Sequence, residues 1–266
     1  MTVIPFTKLE AAGNDFILVD LDELPDVGSD LNSFAVQMCD RRRGVGGDGL
    51  VTVHDSGGDV EIHTINADGS NASTCGNALR GVARFVASAH PNGRGEIHMS
   101  GRAHAFWSDG DNACVTMPSL SAVSGPVEID GRDYFVVHTG TEHVVTIVDD
   151  VDALDVEDVG RKIRYAQEFS PLGTNVNFVQ IIDAFSVKIR TWERGVERET
   201  LSCGSGAVAA ALVVRAAGLS GDSSLILHNR YGSPLEVSVL SEAQDISSAS
   251  VCGPIHIVFS GEYNLV

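Results

Sequence analysis

The amino-acid sequence predicts an α+β protein built as two similarly organised halves. Three observations lead there. Short strand patterns broken by Gly and Asp turns run through most of the 266 residues. Two helices, one in each half, both open on Cys-Gly, at Cys75-Gly76 and Cys203-Gly204. The second of them is apolar on nearly every face, so protein must enclose it, and the surrounding strands supply the enclosure.

Taken in order, Val3–Lys8 and Phe16–Asp20 read as strands rich in β-branched and aromatic residues. A helix follows Ser29, because Leu31, Phe34, Ala35 and Met38 recur at helical spacing and form one apolar face. It stops before Arg41-Arg42-Arg43-Gly44. Glu61–Asn66 is the next strand, and the helix opening at Cys75 carries Leu79, Val82, Ala83 and Val86 inward. Asp-Gly pairs at 109–110 and 130–131 mark hairpins. The halves divide near Met117-Pro118-Ser119-Leu120, giving an expected first domain of 1–119 and a second of 120–253. Gly253–Phe259 reads as a closing strand whose partner the pattern does not identify.

Composition narrows the function. A net charge of −18 repels phosphate backbones, so no nucleic-acid partner is expected. The longest strongly apolar stretch, Ala207–Ala217, contains Arg215 and is too short to span a bilayer. The opening residues show no secretory signature, so a cytoplasmic location is expected. The five cysteines form no CxxC pair, no zinc-type spacing and, without an export signal, no disulfide framework. The nine histidines show no HxH or HExxH pattern, so no metal is expected.

The chemistry concentrates at the Cys-Gly helix starts. A helix start presents unpaired N–H groups and the positive end of the macrodipole, which together hold a carboxylate and favour thiolate over thiol. Glycine after the sulfur lets a ligand approach the backbone. One such site suggests a nucleophile. Two suggest a base and an acid on opposite faces of one α-carbon, inverting it by proton transfer without a cofactor.

The chain resembles the diaminopimelate epimerase family in several blocks spread over essentially its whole length. They are Ala12–Phe16, Arg43–Gly49, Asn66–Ser70 with Cys75-Gly76-Asn77, Gly173–Phe178, and Trp192–Gly195 with Cys203–Ala207. The resemblance implies pseudo-symmetric domains, each a β-barrel-like sheet around a central helix, with a strand at 254–266 returning to the first. It implies Cys75 and Cys203 as the catalytic pair, and a small amino acid as substrate. The amides of Gly76-Asn77 and Gly204-Ser205 would bind its α-carboxylate. Asn14, Asn66, Asn175, Glu193 and Arg194 would contact its other polar groups, while His143 and Glu193 would tune the thiols. A homodimer without cofactor is implied as well.

Departures from the family pattern bear on the substrate. The usual Gly-Asn-Pro-His stands here as Gly140-Thr141-Glu142-His143, the usual Cys-Gly-Asn-Gly ends in Ala78, and the loop Val196–Thr200 is one residue longer than the commonest form. The leading expectation is conversion of LL- to meso-diaminopimelate, a step toward lysine and peptidoglycan. The alternative is racemisation of another amino acid, such as histidine or diaminobutyrate, on the same scaffold. A related isomerase with one cysteine, a metal hydrolase and a non-catalytic amino-acid-binding protein fit the paired thiols less well.

Overall fold

A computed structural model of the chain describes residues 2–24, 30–220, 223–242 and 245–265. It divides into two units, residues 1–115 with 254–266, and residues 116–253. Unit 1 contains β1 (Thr2–Ala11), β2 (Asn14–Asp20), α1 (Leu31–Cys39), β3 (Gly49–Asp55), β4 (Asp59–Asn66), β5 (Asn71–Ala72), α2 (Gly76–Val86), β6 (Arg94–Met99), β7 (Arg102–Asp109) and most of β8 (Asn112–Pro118). Unit 2 contains β9 (Ser124–Ile129), β10 (Arg132–His138), β11 (Glu142–Ile147), α3 (Val156–Arg164), β12 (Asn175–Asp183), β13 (Ser186–Glu193), β14 (Arg198–Thr200), α4 (Gly204–Ala216), β15 (Ser224–His228) and β16 (Leu235–Glu242). The long strand β17 (Asp245–Leu265) pairs with β16 in its first part and with β1 in its last.

One plan is repeated in the two units. In unit 1, β2 and β3 are parallel with α1 between them in sequence, and β4 and β6 are parallel with α2 between them. In unit 2, β11 and β12 are parallel around α3, and β13 and β15 around α4. The remaining neighbours, β3–β4, β4–β5 and β6–β7, recur as β12–β13, β13–β14 and β15–β16, all antiparallel. Parallel pairs need a crossover, and each helix is that crossover. The fold is α+β, with barrel-like sheets curled around α2 and α4.

Burial follows from this plan. Gly76 through Ala83 of α2 are all buried, and α4 is buried at Gly204 and from Gly206 to Val214. Covered on all sides, α4 has no use for a polar face. The other two helices cover the opposite sides of their sheets and are amphipathic. Helix α1 sets Phe34, Ala35 and Met38 against Ile4, Ile17, Leu50 and Ile65. Helix α3 sets Val156 and Ile163 against Val176, Phe178 and Trp192. Gly160 of α3 faces Trp192 so closely that an added Cβ would come within 2.5 Å of the Trp192 Cβ. Helix and strand meet there with no room for a side chain.

The structure adds two features to the reading from sequence. Helix α3 was not anticipated, although Asp155 caps it by accepting from the Asp158 amide. Cys114 and Cys252 each take part in a disulfide, whereas no disulfide framework was expected; Cys39, Cys75 and Cys203 take part in none. No helix among the described residues is long and apolar enough to cross a membrane.

Candidate active site

In unit 1, Cys75 is the N-cap of α2, with extended backbone at φ −146° and ψ 99°. The first-turn amides of Gly76 and Asn77 therefore sit at the open end of the helix, where an anion is favoured. Asn77 is almost wholly buried and donates through Nδ2 to Asn14 Oδ1 at 2.6 Å. Asn14 opens β2 and in turn donates to Asp48 Oδ2 at 3.2 Å. Asn66 closes β4 opposite Gly49 in register and bonds Ser70 Oγ at 2.9 Å. The neighbouring Ala67 amide donates to the Asp48 carbonyl at 3.0 Å, which places the Asn66 turn beside the Asn14–Asp48 pair. The sheet ends thus gather Asn14, Asp48 and Asn66, and Asn14 is bonded to the start of α2.

Sequence reading missed Arg80 here. It is fully buried one turn and a half into α2, and its Nη2 donates to Asn77 Oδ1 at 2.6 Å. A charged residue on the helix face that carries Leu79 and Ala83 was the available signal.

In unit 2, Cys203 is the N-cap of α4, at φ −132° and ψ 111°. Its Sγ accepts from the Gly206 amide at 3.4 Å and lies 3.4 Å from Ser205 Oγ. Only glycine fits at 206, since a Cβ there would stand 2.4 Å from Asn177 Oδ1. Behind Ser205 lies a buried polar chain. His143 Nε2 is 3.0 Å from Ser205 Oγ, and Asn177 Nδ2 is 3.1 Å from His143 Nδ1. Thr191 Oγ1 donates to Asn177 Oδ1 at 3.0 Å, which fixes the amide orientation. Nδ2 is then a donor, so His143 Nδ1 accepts and Nε2 carries the proton. Ser205 Oγ receives that proton's hydrogen bond, leaving its own O–H free to point at Cys203 Sγ. Asn177 was not singled out in sequence, although it lies two residues beyond Asn175 on the same strand face.

Burial pushes the His143 pKa from 6.5 down to about 3, so the imidazole is neutral at physiological pH. Burial pushes the Glu193 carboxyl up, against a hydrogen bond from Thr200 Oγ1 at 2.9 Å that pulls it down. Cys39, outside both sites, is buried and pushed up to about 11, which makes it unreactive.

The remaining predicted residues gather at the ends of β11, β12 and β13. Asn175 donates to the Glu142 carbonyl at 2.8 Å and accepts from the Arg194 amide at 2.8 Å. The Arg194 guanidinium is engaged by the two residues that depart from the family pattern. It pairs with Glu142 Oε2 at 2.7 Å and donates to Thr141 Oγ1 at 2.6 Å. The loop leading to Cys203 is anchored by Glu199, whose buried carboxylate takes Arg190 through two bonds of 2.7 Å and Arg230 through another.

Neutral His143 carries a stability consequence. Its pKa is near 6.5 in the unfolded chain and about 3 in the folded one. Between those values the unfolded state binds the extra proton, so stability is present above pH 6.5 and drains away as the pH falls. One such group contributes a slope approaching about 1.4 kcal/mol per pH unit. Urea unfolding between about pH 7.5 and 4.5 is expected to show this slope, and His143→Gln to lessen it by about that amount. An equally steep profile in the variant would rule out a buried neutral imidazole as the cause.

Comparison with known proteins bears on the family and the fold. The diaminopimelate epimerase family model matches residues 6–117 and 135–257. A diaminopimelate epimerase of Aquifex aeolicus is 34% identical, covering 96% of each chain. That of Archaeoglobus fulgidus is 38% identical over 82% of this chain and 84% of its own. Among solved structures, a Bacillus anthracis phenazine biosynthesis protein of the PhzF family superposes over 100% of both chains with a TM-score of 0.74 at 14% identity. A hydroxyproline epimerase of Agrobacterium vitis does so at 0.71 and 13%, covering 99% of this chain and 91% of its own. The structural likenesses bear on the fold alone, whereas the sequence matches span nearly the whole chain. It is an isomerase and belongs to the diaminopimelate epimerase family.

Proposed function

We propose that the protein interconverts LL- and meso-diaminopimelate by two-base proton transfer between Cys75 and Cys203. The observation that supports this most is the repeated cysteine N-cap, one at the start of each unit's enclosed helix. One thiolate takes the α-proton, leaving the electron pair on carbon, and the other thiol returns a proton to the opposite face. The amides of Gly76-Asn77 and Gly204-Ser205 hold the α-carboxylate, and that fixed positive field stabilises the carbanion as its charge develops. No cofactor enters the proton balance. Asn14, Asn66, Asn175, Glu193 and Arg194 are assigned to the substrate's remaining polar groups, with Glu193 as acceptor for an ammonium and Arg194 as donor to the distal carboxylate.

A second reading has an observation in its favour. Arg194 already pairs with Glu142, so the residue assigned to the distal carboxylate already holds a carboxylate of the protein. An amino acid ending in an ammonium or imidazole, such as diaminobutyrate or histidine, would suit that carboxylate without displacing anything. Incubation in deuterated water, followed by proton NMR, separates the two. Under the first reading diaminopimelate loses its α-proton signal while histidine and diaminobutyrate keep theirs. The reverse pattern transfers the assignment to the second, and no exchange with any of the three points to a binding protein.

A further inference from the structure

The repeated plan of the two units makes their differences informative, and the largest is beneath the cysteines. Five residues beyond Cys203, α4 carries the buried Val208; five residues beyond Cys75, α2 carries the buried Arg80. Helical side chains lean toward the N-terminus. Arg80 does so, reaching back to Asn77 Oδ1 at 2.6 Å, which brings its guanidinium beneath the first turn that Cys75 caps. Its Nε and Nη1 have no hydrogen-bond partner in the protein among the described residues. No carboxylate there forms an ion pair with it. A guanidinium keeps its proton even when buried, so the cost of hiding it is left without a compensating anion.

We propose that Arg80 holds Cys75 as the thiolate of the resting pair, leaving Cys203 as the thiol. This rests on the two-base reading above. Cys75 is foremost among the ionisable groups whose charge acts on the guanidinium, ahead of Glu10 on β1. Among the other charged groups on α2 and the elements packed against it, Arg84 lies by Asp111, His54 by Asp22 and Asp55 by His90, while Asp20 and Asp109 are exposed. Arg102 of β7 reaches Thr74 Oγ1 at 3.3 Å, adding positive charge beside Cys75, and His104 of β7 is buried. Lys8 of β1 pairs with Asp15 of β2 at 2.7 Å, and Asp15 also takes Arg41 through two bonds. Asp48 is bonded to Asn14 and Arg41. In unit 2, by contrast, Cys203 faces the neutral donors Ser205 and the Gly206 amide, with the uncharged His143 behind them. A buried cation favours a thiolate more than neutral donors do. Arg80 is thus a positioning residue, acting on substrate only through Cys75.

The test is the pH dependence of iodoacetamide alkylation, read separately at Cys75 and Cys203 by mass spectrometry on the ligand-free protein. In the unaltered chain Cys75 is expected to titrate below Cys203. Arg80→Met is expected to raise the Cys75 pKa by about one to two units without moving that of Cys203, and Arg80→Lys, which keeps the charge, to restore most of the difference. A Cys75 pKa at or above that of Cys203 in the unaltered chain overturns the proposal. So does an Arg80→Met protein with KM raised but the Cys75 titration unmoved, which would make the substrate carboxylate the partner of Arg80. If the methionine variant fails to fold, the order in the unaltered chain decides. The titration needs no substrate. Failure of the two-base reading would instead appear as inversion surviving the loss of one sulfur.

Discussion

Cys75→Ala and Cys203→Ala are each expected to lower kcat/KM for inversion by at least about 10⁴-fold, at the upper end of what one positioned acid or base contributes. The reason for placing both at that level is stereochemical. Inversion needs proton removal on one face and delivery on the other, so losing either sulfur breaks the cycle whichever direction is assayed. Neither substitution should unfold the protein: Cys75 makes no side-chain cap bond, and Cys203 loses one of 3.4 Å, a cost of about 0.5–2 kcal/mol at most. Circular dichroism should therefore match the unaltered protein while inversion, followed by chiral chromatography, disappears. The two variants are also expected to differ from each other in exchange without inversion. Each retains one base, and that base can still exchange the proton of the epimer presented to it. Complete inversion by either alanine variant would end the two-base mechanism.

Much of the fold was legible in the sequence because its strongest signals are local. Each Cys-Gly opening stands before a run whose burial follows directly from its composition, and α4 is as enclosed as its apolar surface requires. The strands at Val3–Lys8, Phe16–Asp20 and Glu61–Asn66 fall inside β1, β2 and β4. The Asp-Gly pair at 130–131 turns between β9 and β10 with both residues at positive φ, as a tight hairpin requires. What escaped was information held between distant segments. Val156, Val159, Gly160 and Ile163 have the helical spacing, but Gly160 weakens the signal. Its reason for being there is Trp192, thirty-two residues away in sequence. The partner of the last strand is β1, at the other end of the chain, and no spacing announces such a pairing.

The site divides in the same way. Residues within a motif could be placed from sequence: Cys75 and Cys203 stand at helix starts, with the first-turn amides behind them. Residues that matter through a buried neighbour were not. Asn177 gains its meaning from His143 on the adjacent strand, and Arg80 from lying under Asn77 and Cys75. Arg194 is assigned to a substrate carboxylate, and no spacing in the chain announces its pairing with Glu142. Glu142 and Asn14 occupy the same topological place, each opening the first strand of a parallel pair. In one unit that place holds an amide, in the other a carboxylate.

Arg194→Ala is expected to lower kcat/KM for diaminopimelate by about 10²–10³-fold, the penalty of leaving a desolvated carboxylate without its partner. The effect on folding should be small. Arg194 and Glu142 are both partly exposed, at 25% and 39% of their side chains, so Glu142 can be hydrated when its partner is removed. Glu142→Gln supplies the contrasting half of the test. If the distal group of the substrate is a carboxylate, it competes with Glu142 for Arg194. Neutralising Glu142 then frees the guanidinium and should leave kcat/KM unchanged or raise it several-fold. If the distal group is a cation, Glu142 is its partner and the same substitution should be as damaging as Arg194→Ala is for diaminopimelate. Thr141→Asn, which restores the amide usual in the family, is expected to produce at most a modest gain, because the Thr141 hydroxyl already accepts from Arg194 at 2.6 Å. A fall of 10-fold or more in diaminopimelate turnover on Glu142→Gln, about 1.4 kcal/mol, would show that the carboxylate serves the substrate directly. The distal pocket would then have been built for a positive charge.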